Sequence, residues 1–335
     1  MNLTIIGGGG LGHVCAAVAA SRQKYNVSIL SGHPSCWMHH ISATDLDAKV
    51  YEGDIDTISS NAFDVVPNAD VVLLCVPGYL IERVLGEVRP YLKSSTAVGS
   101  VVSSTGFFLY AHSVLPQDVP LFGYQRVPYI SRVNEYGCSA FLLGYKKELA
   151  VAIENHPDPE SLRGMLEELF LTPTKLLDNY YEAALTNSNP ILHTGRLYSM
   201  WHNWDGTPFD HQILFYKEWN IASSQEILDM DVEFMSLIRL LPVRDGIIPS
   251  LLDYYESCDA ESLTKKITSI PSFMSILAPM VNTKEGWIPD FTSRYFVEDF
   301  PFGLKLIKDL AVEYGINTPR IDRVLNWGMQ VINKD

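Results

Sequence analysis

The sequence predicts an α/β domain built on a mostly parallel, doubly wound sheet, followed by an all-α domain. Short apolar runs alternate with helical patterns as far as about Asp178, which is typical of a parallel sheet wrapped by helices. After Tyr180 the sequence changes to long helical patterns with many aromatic residues and few β-branched runs. We therefore expect one domain over residues 1–180 and a second over 181–335.

The first strand ends directly against three glycines, Gly7, Gly9 and Gly12, in the spacing G-x-G-x-x-G. A helix is predicted over 14–21 and a second strand over 26–30, so the three elements form a βαβ unit. In such a unit the first glycine permits a tight turn, the second lets backbone N–H groups approach a pyrophosphate, and the third lets the helix pack closely. The pattern predicts a dinucleotide-binding turn of the Rossmann type.

Gly10 and Leu11 lie between these glycines, in the turn that leads into the predicted helix. A helix N-terminus binds phosphate well, because its N–H groups are unpaired and its dipole favours an anion. We therefore include both residues among the expected cofactor contacts. A glycine-rich turn that binds no ligand is the alternative interpretation.

Two later strands of the first domain are expected to end at the same edge of the sheet. The apolar run over 70–77 ends at Pro77 and is followed by a predicted helix over 79–91. The run over 96–102 leads into the small polar residues Ser104 and Thr105. Because ligands bind at the carboxyl ends of strands in open α/β sheets, we expect Pro77 near the cofactor and both polar residues near the substrate. Further strands are predicted at 138–144, 148–153 and 174–178, and a helix at 159–170.

The second domain is predicted to begin with one long helix over 182–204, kinked at Pro190 because proline removes a backbone hydrogen bond. Further helices are expected over 215–229, 232–241 and 303–314. Residues 287–292 are expected to form an ordered loop.

Composition excludes several classes of protein. The 335 residues carry a formal net charge of −14, which disfavours a nucleic-acid surface. No apolar run approaches the length of a membrane span, and the N-terminus lacks signal-peptide features, so we expect a cytoplasmic location and no membrane partner. The five cysteines form no CxxC pair, which argues against a disulfide framework and a metal site. The oligomeric state stays open, with a homodimer among the possibilities.

Two clusters in the second domain carry the residues best suited to chemistry. His193 follows Asn189 and Pro190, and histidine is the usual proton donor near neutral pH. An ordinary helical histidine is the alternative interpretation. Asp299 precedes a predicted helix and could serve only as its N-cap. Arg294, five residues earlier, could make only a surface ion pair.

At these clusters the chain resembles the opine dehydrogenases of the octopine/nopaline type. The matching pieces are Ile-Gly-Gly-Gly-Gly-Leu-Gly-His at 6–13, Asn-Pro-Ile-Leu-His at 189–193 and Pro-Asp-Phe-Thr-Ser-Arg-Tyr-Phe-Val-Glu-Asp-Phe-Pro-Phe-Gly-Leu at 289–304. They span almost the whole chain, and the third is long and specific. The resemblance implies a Rossmann domain followed by a helical domain.

The resemblance also implies roles for single residues. It assigns His193 as the catalytic acid/base, Asp299 as its partner, and Arg294 as a contact to the cofactor pyrophosphate. The stretch 125–132 is similar to a family segment that leads toward the substrate, so Arg132 is a candidate contact to a substrate carboxylate. Asn189 is a further substrate candidate.

The implied reaction is a reversible reductive condensation, in which the amine of an amino acid and a 2-oxo acid such as pyruvate form an imine that NAD(P)H reduces. An NAD(P)-dependent dehydrogenase or reductase of hydroxy acids or sugar phosphates is one alternative. It is disfavoured because the chain lacks a suitably placed lysine of the kind many such enzymes use. A non-catalytic NAD(P)-binding redox sensor is the other alternative, which would not need a His/Asp pair.

The choice of cofactor depends on the end of the second strand, where an acidic residue normally accepts the ribose hydroxyls of NAD. The chain has Ser31 and His33 there, and no acidic residue from Leu11 to Thr44. NADP is therefore favoured over NAD, with these two side chains as candidate contacts to the 2′-phosphate. No arginine, the better phosphate clamp, lies in this loop.

Overall fold

A computed structural model describes residues 1–104 and 106–333 of the chain. It divides into two compact units, Met1–Ala184 and Leu185–Asp335. The candidate site residue Thr105 lies outside the described residues.

The first unit alternates strands and helices. Its strands are β1 (Asn2–Ile6), β2 (Asn26–Leu30), β3 (His40–Asp45), β4 (Val50–Asp54), β5 (Thr57–Ser59), β6 (Val71–Leu74), β7 (Ala97–Ser100), β8 (Leu121–Tyr124), β9 (Tyr129–Glu135), β10 (Ser139–Tyr145), β11 (Leu149–Glu154) and β12 (Thr174–Leu176). Its helices are α1 (Gly10–Ala20), α2 (Ala62–Val65), α3 (Gly78–Val88), α4 (Phe107–Val114), α5 (Pro159–Phe170) and α6 (Tyr180–Ala184).

Eight strands form the main sheet, in the order β12-β11-β8-β7-β6-β1-β2-β5. All neighbours are parallel except β8 and β11, which are antiparallel. Side chains of α1 and α5 pack on one face, and side chains of α2, α3, α4 and α6 pack on the other. This is the predicted doubly wound α/β architecture. Its central strands are buried on both faces, which explains why they are continuous apolar runs.

A second sheet of four strands, in the order β4-β3-β10-β9, was not predicted. Helix α1 packs against both sheets, so it is buried nearly all round. This explains its composition, because a helix between two sheets needs small apolar residues on every face. The run predicted as a strand at 138–144 does form a strand, β10, but it belongs to this second sheet.

The second unit is helical and carries one short antiparallel hairpin that the sequence did not predict. Its helices are α7 (Asn189–Trp201), α8 (Ile221–Ile238), α9 (Leu251–Tyr254), α10 (Ala260–Ile267), α11 (Arg294–Val297), α12 (Lys305–Glu313) and α13 (Pro319–Ile332). The hairpin consists of β13 (Met280–Thr283) and β14 (Gly286–Pro289), and a π-helical turn spans Phe300–Leu304.

Three expectations for this unit were wrong in detail. Pro190 does not kink a long helix: it lies in the first turn of α7, where its missing N–H costs nothing. The two helices expected over 215–229 and 232–241 are one helix, α8, which begins only after its cap Asn220. Part of the loop expected over 287–292 is strand β14.

Within the described part of the chain, no helix is both long and apolar enough to cross a membrane.

Candidate active site

The glycine turn has the backbone geometry that a dinucleotide needs. Gly7 has a φ of +125°, in the region that favours glycine, and a Cβ there would lie 2.4 Å from the carbonyl oxygen of Cys75. A Cβ on Gly12 would lie 2.0 Å from the oxygen of Gly7, so the start of α1 packs directly against the turn. By contrast, a Cβ on Gly9 would meet no atom within 4 Å. The turn is thus tight on its inner side and open at Gly9.

Gly9 is also the N-cap of α1, and no side chain caps this helix. The helix begins at Gly10 and Leu11, the residues predicted to present N–H groups to a phosphate. The open space at Gly9 and the uncapped helix start together fit a pyrophosphate, because its oxygens would occupy the space and accept from the helix N-terminus.

Ser31 follows β2 and is buried, and its hydroxyl is already engaged. It accepts hydrogen bonds from the indole Nε1 of Trp37 at 3.1 Å and from the N–H of His33 at 3.2 Å. A third hydrogen bond joins it to the hydroxyl of Tyr136 at 3.4 Å, in which either oxygen can donate. The side chain of His33 is exposed. Of the two predicted cofactor contacts after β2, Ser31 is therefore engaged with protein partners, whereas His33 is open to solvent.

The other candidates in the first unit lie at strand ends or on the second sheet. Pro77 follows β6 and is the N-cap of α3. Ser104 is buried in the segment between β7 and α4. Arg132 lies exposed on β9, and its guanidinium donates to the carbonyl of Ser131 at 2.9 Å.

In the second unit, the first turn of α7 places His193 beside the π-helical turn. Asn189 and Pro190 start the helix, and His193 follows one turn later. A Cβ on Gly303 would lie 2.9 Å from the Cγ of Pro190, so only glycine allows the π-helical turn to approach α7 this closely. This approach brings the residue before the turn, Asp299, next to His193.

Asp299 directs its carboxylate to His193 and does not cap the helix that follows it. The distance from Asp299 Oδ2 to His193 Nδ1 is 2.8 Å, although 106 positions separate the two residues in the sequence. Asp299 occupies the N-cap position of the π-helical turn without a side-chain cap hydrogen bond. The carboxylate of Asp299 therefore does not act as a helix cap. Turns of the π type are frequent at functional sites.

Both ring nitrogens of His193 are engaged. Because a carboxylate only accepts, Nδ1 carries the proton and donates to Asp299. In the neutral ring Nε2 is then the acceptor, and the hydroxyl of Tyr216 donates to it at 2.9 Å. The side chains of His193 and Asp299 are 11% and 20% exposed, so the pair is shielded but not sealed from solvent.

Tyr216 is a residue that the sequence analysis missed. It lies in the irregular segment before α8, stacks on Phe273 at a centroid distance of 4.2 Å, and is only 4% exposed. Burial raises the pKa of its hydroxyl well above the ordinary value, and Tyr295, Tyr255 and Asp299 add to this rise. The hydroxyl therefore stays protonated. No sequence pattern marks this position, because its role depends on a contact between separate elements.

Arg294 opens α11, and its side chain is 85% exposed. Its Nε lies 3.8 Å from Oε1 of Glu298, one helical turn later, which is a weak surface ion pair. The guanidinium is therefore largely available to an anion.

The comparisons with known proteins agree with these features. A family model described as "NAD/NADP octopine/nopaline dehydrogenase, alpha-helical domain" matches residues 176–332. The tauropine dehydrogenase of Arabella iricolor is 25% identical over 366 residues, which cover 99% of this chain and 92% of that protein.

Solved structures show the same fold. An octopine dehydrogenase determined with NADH and L-arginine superposes with a TM-score of 0.87 at 23% identity, covering 99% of this chain and 89% of its own. A yersinopine dehydrogenase with NADP⁺ bound superposes with a TM-score of 0.74 at 14% identity, covering 98% and 90%.

Proposed function

The chain belongs to the octopine/nopaline-type opine dehydrogenase family, and we propose that it joins the amine of an amino acid to a 2-oxo acid such as pyruvate. The two substrates condense to an imine, which NAD(P)H reduces reversibly to a secondary amine that carries both carboxylates. The observation that carries this proposal is the hydrogen bond between His193 and Asp299 in the helical unit. A protein that only binds NAD(P) has no need for such an oriented acid/base pair.

The two domains have different roles in the proposed reaction. We assign cofactor binding to residues 1–180, through the glycine turn with Gly7, Gly9, Gly10, Leu11 and Gly12, and with Pro77, Ser31 and His33. The bound nicotinamide supplies the hydride. Residues 181–335 supply the proton chemistry, together with the pyrophosphate contact of Arg294.

His193 is the proton donor in the proposed reaction. Condensation expels the carbonyl oxygen of the oxo acid as water, which requires that this oxygen be protonated. The imidazolium form of His193 donates that proton, and the Asp299 carboxylate stabilises the positive ring and fixes its orientation. For the substrate carboxylates we propose contacts from Arg132, Ser104 and Asn189.

A screen of substrate pairs tests the proposal. Oxidation of NADPH and NADH is followed by absorbance with 2-oxo acids, each with and without a panel of amino acids. We expect oxidation only when both substrates are present. Oxidation with an oxo acid alone would instead identify a simple carbonyl reductase.

We expect NADPH to bind more tightly than NADH. No carboxylate from Leu11 to Thr44 is present to accept ribose hydroxyls and to repel a 2′-phosphate, and Ser31 and His33 follow β2 as candidate contacts to that phosphate. Fluorescence titration of both reduced cofactors measures the two dissociation constants. Clearly tighter NADH binding would contradict this expectation.

Arg294→Ala is expected to weaken cofactor binding by about 10- to 100-fold, because a charge-assisted hydrogen bond to phosphate contributes about 1.5–3 kcal/mol. The matched control is Lys305→Ala, which removes another exposed cation from an ion pair between neighbouring helical turns, with Asp309. Its dissociation constant should match that of the wild type. If Arg294→Ala binds as tightly as this control, Arg294 makes only the surface ion pair with Glu298.

We also propose that the enzyme acts in the cytoplasm. All five cysteines are free thiols in the structure, two of them exposed, which suits a reducing compartment.

A further inference from the structure

The position of Tyr216 raises a chemical question about His193. The proton of the imidazolium must leave through Nε2, because Nδ1 faces the carboxylate of Asp299. Yet Nε2 is already bonded to the Tyr216 hydroxyl at 2.9 Å. A substrate oxygen can receive the proton only if Tyr216 moves away or if it passes the proton on.

The surroundings of Tyr216 oppose movement. Its ring lies parallel to Trp219, with 6° between the planes and 5.9 Å between the centroids, and Phe273 stacks on it at 4.2 Å. Packing of this kind leaves few alternative rotamers.

The backbone that carries Tyr216 is also held in place. The guanidinium of Arg196, on α7, is only 2% exposed and donates to the carbonyl oxygens of Phe215 at 3.2 Å and Glu218 at 2.8 Å. These two carbonyls flank Tyr216 in the sequence. Arg196 also donates to the hydroxyl of Ser223 at 2.7 Å and lies over the ring of Trp219. His193 and Arg196 are three residues apart on α7, so the same helix positions both the imidazole and its partner.

We infer that Tyr216 relays the proton between His193 and the substrate. This inference rests on the proposed function and names one more residue that performs it. A phenol has one proton and two acceptor lone pairs, so it can accept from Nε2–H while it donates to a substrate oxygen. The Nε2–H bond breaks as a bond from that proton to the phenol oxygen forms. The phenol's own O–H bond breaks as its proton passes to the carbonyl oxygen of the oxo acid.

Charge balances in this step. The imidazolium becomes neutral, the substrate gains one proton, and Tyr216 is a neutral phenol before and after. The raised pKa of Tyr216 agrees with this behaviour, because burial disfavours a free tyrosinate. Arg196 acts as a positioning residue, since it donates to the backbone on either side of Tyr216 and to Ser223 on α8 rather than to His193.

The test compares Tyr216→Phe with Tyr255→Phe. Each change removes one phenolic hydroxyl from a buried tyrosine of the helical unit, but the Tyr255 hydroxyl takes no part in the hydrogen bonds of His193. Tyr216→Phe is expected to lose about 10²-fold in kcat while it binds NADPH as the wild type does, and Tyr255→Phe is expected to keep wild-type kcat. Wild-type or faster turnover in Tyr216→Phe would show that the hydroxyl only occupies Nε2 at rest, and would overturn the relay.

A second measurement does not depend on enzymatic turnover. In protein labelled with ¹⁵N-histidine, the His193 signals are assigned from those missing in His193→Gln. The Nε2 resonance should move in Tyr216→Phe and stay in place in Tyr255→Phe. An unchanged Nε2 resonance in Tyr216→Phe would overturn the inference even if the wild type proved inactive toward every substrate pair. A moved resonance in an inactive wild type would place the failure in the proposed reaction instead.

Discussion

His193→Ala is expected to lose between about 10² and 10⁴-fold in turnover and to bind the reduced cofactor with unchanged affinity. The substitution removes the proposed source of the proton for the oxo-acid oxygen, whereas the glycine turn proposed to hold the cofactor belongs to the other compact unit. Steady-state kinetics with both substrates gives the loss in turnover, and fluorescence titration gives the cofactor affinity.

His202→Ala serves as the control for His193→Ala. His202 caps the same helix, α7, where it is exposed and stacks on Tyr198. This variant should keep wild-type turnover. If the two alanine variants behave alike, His193 is an ordinary helical histidine.

Asp299→Asn is expected to lose turnover on a similar scale, on the order of 10²–10⁴-fold. A carboxylate accepts from Nδ1–H and stabilises the imidazolium, whereas an amide carries no charge and can present its own N–H₂ group to Nδ1. In that orientation the neutral imidazole holds its proton on Nε2 instead of Nδ1, and no carboxylate stabilises the imidazolium that donates the proton. The loss should therefore appear in kcat rather than in cofactor binding.

Turnover at unchanged stability separates this role of Asp299 from a capping role. Asparagine caps helices about as well as aspartate, and the Asp299 side chain makes no cap hydrogen bond. The thermal midpoint of Asp299→Asn should thus stay close to that of Asp309→Asn, a control that neutralises an exposed carboxylate on α12. A folded Asp299→Asn enzyme with wild-type turnover would leave His193 without its proposed partner.

The sequence predicted the fold well for elements whose structure is determined by their own local residues. Gly7, Gly9 and Gly12 mark the βαβ turn by their spacing. Tight backbone approach admits only glycine at Gly7 and Gly12, whereas the space at Gly9 is open. The buried strands β1, β6 and β7 are recognisable because strands covered on both faces must be apolar throughout. Pro190 was predicted to kink a long helix, but it lies in the first turn of α7. The sequence does not distinguish the two cases, since proline both starts and interrupts helices.

Features that depend on distant contacts were not predictable. The second sheet pairs β3 with β10, whose residues lie about 100 positions apart. The sequence of neither strand indicates which strand it pairs with. The role of Tyr216 was not predictable for the same reason, because it depends on one hydrogen bond to His193 on another element. The family-like segments did bring His193 and Asp299 to attention, and the structure places their side chains 2.8 Å apart.

The fate of labelled substrates tests the proposed reaction most directly. The enzyme is supplied with a ¹⁵N-labelled amino acid, a ¹³C-labelled 2-oxo acid and NADPH that carries deuterium at the transferable position, and the products are identified by mass spectrometry. We expect one product that contains the amino-acid nitrogen, the carbons of the oxo acid and one deuterium, as a secondary amine formed by reduction of the joint imine must. A deuterated ¹³C-hydroxy acid, with the amino acid recovered unchanged, would contradict reductive condensation.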